Sequence, residues 1–306
     1  MSSKTVIQVD HLRKVYGSTV AVDDVSFEIY AGEIFGMVGP NGAGKTTTTE
    51  CIEGLRRPDG GTIQVFGRSP QKDSYALHER IGVQLQTSAL QDRLKVWEAL
   101  DLFASFYTKP VDTQPLLEQM GLTEKRSDKF AKLSGGQKQR LFIGLALIND
   151  PELVFLDELT TGLDPQARHA MWDMVRGIRE QGKTVFLTTH FMEEAERLCD
   201  RVAIMDHGKI VALDTPQNLV RKLGSESRLI FSIDGKLDLP KLQRVEGVTR
   251  VEPENDEFIV SGHGERLVGD VVHAITTNGA RLRTLRIEQP NLENVFLALT
   301  GREMRD

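Results

Sequence analysis

Cysteine is almost absent from this chain: its 306 residues include two, Cys51 and Cys199. Two thiols give no disulfide framework and suit a reducing compartment, and each reads as a small buried apolar side chain. Long apolar stretches are missing as well. The longest runs from Leu141 to Ile148, far short of the ~20 residues that cross a bilayer, so a membrane role has to come through a partner. The N-terminal Met1-Ser2-Ser3-Lys4-Thr5 lacks the apolar segment of a signal peptide. There is no basic excess: 38 Lys and Arg against 44 Asp and Glu give a formal charge of −6, which argues against a general nucleic-acid binder. Heptads, tandem repeats and low-complexity tracts are also lacking. What remains has ordinary hydrophobic and charged fractions, 40% and 27%. It is long enough for one large α/β domain or two smaller ones.

The most informative stretch is Gly39-Pro40-Asn41-Gly42-Ala43-Gly44-Lys45-Thr46. It matches the phosphate-cradling pattern G-x-x-x-x-G-K-[ST] at every fixed position. The apolar run Glu33 to Val38 reads as the strand before it and Thr46 to Leu55 as the helix after it. Such a loop wraps a phosphate with backbone N–H groups and the positive end of a helix. Its glycines allow close approach and positive φ. Lys45 is expected to reach the β- and γ-phosphates, and Thr46 to place its hydroxyl on Mg²⁺.

Around this loop the pattern alternates. Val6 to Ile29 reads as antiparallel β with a turn at Gly17-Ser18, and Thr62 to Phe66 and Ile81 to Leu85 as further strands. Lys95 to Lys132 turns helical, with Val96, Leu100, Phe103 and Tyr107 on one face and a second helix, Leu116 to Met120, stopping at Gly121. Ser134 and Gln137 have capping-box spacing and open a helix that runs to about Asn149. Leu153 to Leu156 and Thr184 to Leu187 read as buried parallel strands, Pro165 to Glu180 as a helix between them, and Val202 to Leu213 as a hairpin. From about Leu223 the predicted order becomes βαββαβ, the split ferredoxin-like arrangement, closed by a helix over Leu292 to Leu299.

Further polar groups stand where ligands collect in open α/β sheets. Asp157 ends an apolar strand, the setting of a carboxylate that holds Mg²⁺. Glu158 follows it and suits a general base for water, or else the two form an acidic helix cap. His190 ends another buried strand, where it either steadies a γ-phosphate or is a satisfied structural histidine. Gln86 ends a third, with an amide oxygen able to reach metal or water. Leu133-Ser134-Gly135-Gly136-Gln137 is a second glycine-rich helix start. One nucleotide does not need two cradles from one subunit, so the second is expected to serve a nucleotide held by another copy.

These motifs together resemble the nucleotide-binding subunit of ATP-binding cassette (ABC) transporters. Gly39 to Thr46 matches Walker A, with Thr47 following; Gln86 matches the Q-loop, Leu133 to Gln137 the family signature, and Leu153 to Glu158 Walker B. Gly162-Leu163-Asp164 matches the D-loop, His190 the switch histidine, and Tyr16 the aromatic that stacks on adenine. The resemblance covers about Val6 to Leu223. It implies an ABC-type P-loop ATPase domain over 1–223, with antiparallel β and helical subdomains (the latter about 87–132), followed by a small α+β accessory domain over 224–306. It implies binding and hydrolysis of ATP with Mg²⁺. Thr46, Gln86 and Asp157 would serve the metal, and Glu158, His190, Gln86 and Lys45 the chemistry. By the same resemblance two copies sandwich two nucleotides head to tail and join separate multi-span permease subunits, peripherally on the cytoplasmic side of the membrane, without nucleic acid. The segment Glu288 to Phe296 resembles the tail of daunorubicin-resistance-type exporter ATPases, which implies export of a drug, lipid or other small molecule. The alternatives are an importer ATPase or a soluble ABC ATPase. Translation-type members carry two cassettes and repair-type members a long coiled coil, and neither is seen here. The family usually has Pro after the Walker B glutamate. This chain has Leu159, which removes a restriction on φ but leaves both carboxylates, so activity is expected.

Overall fold

The computed structural model describes residues 4–84, 89–223, 226–235, 237–254, 256–264, 266–277 and 280–301. The chain divides into two compact units, Met1–Pro216 with Leu299–Asp306, and Gln217–Ala298.

In the first unit β1 (Thr5–Tyr16) and β2 (Thr19–Tyr30) form the expected hairpin across Gly17-Ser18. β3 (Ile34–Val38) is buried at all five positions and leads through the glycine-rich loop into α1 (Lys45–Ile52). β4 (Gly60–Val65) pairs with β1 and completes a three-stranded antiparallel sheet. The short α2 (Ser74–His78) precedes β5 (Ile81–Gln84). The helical stretch follows as α3 (Val96–Ala104) and α4 (Thr113–Gln119) with two 3₁₀ turns, Thr123–Lys125 and Phe130–Lys132. Gly121 ends α4 at φ 62°, a left-handed conformation that glycine adopts without a Cβ clash. Then come α5 (Gly135–Leu147), β6 (Leu153–Asp157), α6 (Pro165–Glu180), β7 (Thr184–Thr189), α7 (Met192–Leu198), β8 (Arg201–Asp206) and β9 (Lys209–Asp214), after which α8 (Pro216–Leu223) leads into the second unit.

The second sheet has the order β5-β6-β7-β3-β8-β9, parallel except for β9. This order matters more than any single element. β6, β7 and β3 are neighbours, so their C-terminal ends bring Asp157, His190 and the loop after Val38 to one edge, where open α/β sheets bind ligands. The two sheets meet through aromatic rings. Phe27 of β2 stacks on Phe35 of β3 at 5.4 Å, and Phe35 on Phe186 of β7 at 5.9 Å. These rings and the buried Val, Ile and Leu around them form one apolar cluster shared by both sheets. Burying a side chain of this size stabilises by ~1.5–3 kcal/mol.

The second unit contains β10 (Ser227–Asp234), α9 (Leu239–Leu242), β11 (Val248–Glu254), β12 (Glu257–Gly262), α10 (Leu267–Thr277) and β13 (Arg281–Glu288), followed by α11 (Leu292–Thr300). Its sheet runs β11-β12-β10-β13 with every pair antiparallel, the order a split βαβ chain produces. Its core gathers Leu229, Phe231 and Val260 from the strands against Leu242, Val271 and Ile275 from the helices.

Candidate nucleotide site

The loop between β3 and α1 is shaped by what surrounds it. A Cβ on Gly39 would stand 2.2 Å from the Met205 carbonyl oxygen, and one on Gly44 2.4 Å from that of Ala21. Gly44 also has φ 104°. No side chain fits either position, so the fold leaves a cradle lined by backbone. Ala43 N–H donates to the Pro40 carbonyl at 3.1 Å, and Gly208 N–H to that of Ala43 at 2.9 Å, which ties the loop to the β8–β9 turn. The four threonines that follow divide their tasks. Thr48 and Thr49 are buried and return their hydroxyls to the carbonyls of Gly44 and Lys45 at 2.9 and 3.1 Å. Thr46 and Thr47 face a cavity of about 450 Å³ together with Asn41, Gly42, Gly44, Lys45, Tyr16, Ala21 and Glu158.

Lys45 is 4% exposed, and its ammonium donates to the carbonyls of Gly39 at 2.7 Å and Pro40 at 3.1 Å. Burial pulls its pKa down, opposed by the negative charge of Glu158 and Asp157. Tyr16 is 40% exposed at the cavity. Lys14 Nζ and the Arg56 guanidinium lie 5.3 and 5.5 Å from the centre of its ring, but neither lines the cavity.

The carboxylates come from the end of β6. Asp157 is buried, and its Oδ1 accepts from the Thr188 hydroxyl of neighbouring β7. Burial raises its pKa first; the Thr188 hydrogen bond opposes this, and the charge of Glu158 adds to it. Glu158 has φ 48°, a region that non-glycine residues enter rarely and mostly at sites where the surroundings enforce it. Its N–H points at the Thr188 carbonyl, 3.1 Å, and hydroxyl, 3.3 Å. That pair of contacts turns the side chain out of the sheet and into the cavity. His190 follows two residues after Thr188. Its Nδ1 lies 3.7 Å from Glu158 Oε1 and is buried without a hydrogen-bond partner among the described residues. The cradle and the oxygen donors therefore suit a polyphosphate. The hydroxyl of Thr46 and the carboxylate of Asp157 are the kind of oxygen ligands a hard divalent cation takes.

A second cavity of about 300 Å³ opens at the start of α5. Ser134, Gly135, Gly136 and Arg140 line it from one side, and Gly162, Leu163, Asp164, Ala167 and Met171 from the other. The predicted capping box is present: Ser134 Oγ accepts from Gln137 N–H at 3.3 Å, and Gln137 Oε1 from Ser134 N–H at 2.9 Å. Gln137 is thus spent on the helix start, and Leu133 is buried; neither lines the cavity. Gln86 lies outside the described residues.

Two residues at the site are not among the candidates read from the sequence. Thr188 contacts both carboxylate-bearing residues; its signal is a hydroxyl directly after the apolar run Val185 to Leu187 of β7. Glu53, at the end of α1, is 4% exposed, and burial together with nearby Asp157 and Glu50 pushes its carboxyl up to about 8. A carboxylate spaced three residues from Glu50 on a surface-like helix carries no such signal.

Comparison with known proteins agrees with this geometry. The family described as ABC transporter matches residues 22–161. Across 98% of this chain and 100% of its own length, the linearmycin resistance ATP-binding protein LnrL of Bacillus subtilis (strain 168) is 37% identical. The Nod factor export ATP-binding protein I of Ralstonia nicotianae is 38% identical over 100% of this chain and 97% of its own. Among solved structures, an ATP-binding subunit of an ABC transporter superposes with a TM-score of 0.65 at 31% identity, covering 72% of this chain and 94% of that one. A dimeric ATP-binding cassette in a post-hydrolysis state bound to ADP and Pi superposes at 0.62 and 25% identity, covering 68% and 98%.

Proposed function

Because this chain belongs to the ATP-binding proteins of ABC transporters, we propose that it hydrolyses ATP as a head-to-tail dimer to drive export through a separate multi-span membrane subunit. Its place is peripheral, on the cytoplasmic face of that membrane, and no nucleic acid is involved. No helix among the described residues is long and apolar enough to cross a membrane, so the path for cargo belongs to another chain. The relatives named for linearmycin resistance and for Nod factor export favour a drug, lipid or other small molecule as that cargo. The ATP-binding part is residues 1–223 and the accessory part residues 224–306.

One observation carries this reading. Two cavities among the described residues, each at a glycine-rich helix start, share no lining residue. The first holds a lysine and a carboxylate; the second offers Ser134 and backbone N–H groups. Two copies facing each other complete both, with the first cavity of one copy against the second of the other. The γ-phosphate then lies between two helix N-termini that favour its charge.

Each residue has a role in this reading. The loop 39–46 with Thr47 binds the phosphates, Lys45 offsets charge on the β- and γ-oxygens, and Tyr16 stacks on the base. Glu158 orients a water in line with the γ-phosphorus, whose bond to the bridging oxygen breaks as the new one forms, giving ADP and phosphate. His190 steadies the γ-phosphate beside Glu158. Mg²⁺ would be held by Thr46 and Asp157, with Gln86 as a further ligand, and supplies neutralisation of phosphate charge. Ser134, Gly135, Gly136 and Asp164 face the partner's nucleotide across the second cavity, while Leu133, buried, and Gln137, in the capping box, hold that helix start in place.

Lys45→Ala tests the loop. Loss of a charge-assisted hydrogen bond to phosphate is worth ~1.5–3 kcal/mol, so ATP affinity measured by calorimetry should fall about tenfold or more. Unchanged affinity contradicts the assignment. Co-purification of the tagged chain with a polytopic membrane protein tests the transport role.

A further inference from the structure

The two cavities are joined by a short packed path. Asp164 caps α6, its Oδ1 accepting from Ala167 N–H at 2.8 Å, and both residues line the second cavity. The next residue, Arg168, turns the other way. Its guanidinium carbon lies 4.5 Å from the centre of the Phe191 ring. Its Nε is buried with no hydrogen-bond partner among the described residues. The Phe191 ring in turn lies 4.1 Å from the His190 ring, and Phe191 N–H donates to Thr189 Oγ1 at 2.9 Å. One turn further along α6, Trp172 Nε1 donates to Glu194 Oε1 of α7 at 2.9 Å, with both residues nearly fully buried.

A buried donor without a partner costs ~1–3 kcal/mol. A long charged side chain at a helix surface normally avoids that cost by extending into water. Arg168 is half-buried and keeps its Nε out of water, and stacking of the guanidinium on Phe191 offsets that cost. The result is a bracket. The start of α6 cannot shift relative to Phe191 without losing this contact or breaking the buried Trp172–Glu194 bond, and Phe191 cannot shift without moving the ring of His190.

We propose that Arg168 is a positioning residue which, through Phe191, couples what occupies the second cavity to the placement of His190 beside Glu158 in the first. The inference rests on the reading that the second cavity meets a nucleotide held by another copy. Contact of that nucleotide with the start of α6 then sets His190 in the protomer that contributes the second cavity, so each site in the dimer senses the other.

The test uses steady-state ATPase kinetics of the full chain. Arg168→Met keeps most of the length and removes charge, and Phe191→Leu keeps an apolar side chain and removes the ring. Each should lower kcat about tenfold, a loss within the range of measured coupling energies, while KM for ATP changes less than about twofold. The Hill coefficient should fall toward 1. The double variant should be no slower than the slower single, as expected for residues acting as one unit. Phe191→Tyr, which keeps the ring, should retain kcat and cooperativity even if one of the other variants folds poorly. Arg176→Met, on the exposed side of the same helix, should change neither. Retention of kcat and Hill coefficient in Arg168→Met overturns the proposal, as does loss of both in Phe191→Tyr. Dimerisation of Glu158→Gln with ATP separates the two levels. If that dimer forms and Arg168→Met is still fully active, the coupling alone fails; if it never forms, the reading of the second cavity fails.

Discussion

Thr188 shows how one hydroxyl organises the carboxylate-bearing end of β6. It donates to Asp157 Oδ1 and stands 3.3 Å from Glu158 N–H. Thr188→Val keeps the shape and removes both contacts. It should lower stability in urea by ~1–3 kcal/mol and reduce kcat, whereas Thr188→Ser should restore both. Glu53 offers a second test at this scale. Its carboxyl is pushed from 4.5 up to about 8 by burial first and by Asp157 second. The folded protein holds a proton that the unfolded chain releases above about 4.5, so this contribution is complete below that pH and is lost as pH rises to about 8. Glu53→Gln has no such loss. In nucleotide-free protein with chelator present, the variant's advantage in unfolding free energy should widen from pH 5 to pH 8.5 and reach a few kcal/mol, at about 1.4 kcal/mol per pH unit. A constant difference across that range contradicts a neutral Glu53. Lys45, Asp157 and Glu158 are legible in the sequence because their spacing from glycines and apolar runs is fixed by the chemistry. Thr188 and Glu53 are not, since their roles depend on which strands are neighbours and how deep α1 lies.

Among the elements, the long ones follow from periodicity and caps. α6 has the bounds expected from its sequence, with Asp164 at the cap and Pro165 in the first turn. α5 starts at the expected capping box. The short ones escape. α2 and α7 have five and seven residues, too few for a helical period to show, and α7 hides further because the charged Glu194 sits on its buried face. α9 stops at Leu242 although the apolar pattern continues to Val245, because Gly247 at φ 86° turns the chain into β11. The cap of α5 yields a prediction of two sizes. Ser134→Ala removes one acceptor and should cost ~1 kcal/mol of stability. The same change removes a hydroxyl that faces the second cavity, so ATP-dependent dimerisation should weaken by about tenfold or more. Equal small effects on both contradict the role of this helix start in binding.

At the scale of the whole molecule, the parallel sheet is foreseeable from its apolar strands, but its order is not. That β6, β7 and β3 are neighbours follows from long-range pairing that no local pattern encodes, and it is this adjacency that gathers residues far apart in the chain, such as Gly39 and Asp157, 118 positions from each other. The antiparallel order of the second unit was implied by the βαββαβ succession, because crossovers of that length leave one strand gap on the sheet. Leu159 departs from the family's proline, yet it is 2% exposed, so packing anchors the turn after Glu158 in place of a fixed φ. In the proposed head-to-tail dimer the two cavities give the molecule its logic, each being half of a site that a second copy would complete. The direct measurement is the mass of Glu158→Gln in solution, by light scattering after gel filtration, with and without saturating Mg²⁺-ATP. The account predicts 34.2 kDa, one chain, without nucleotide and twice that mass with it. A single-chain mass in both conditions contradicts it.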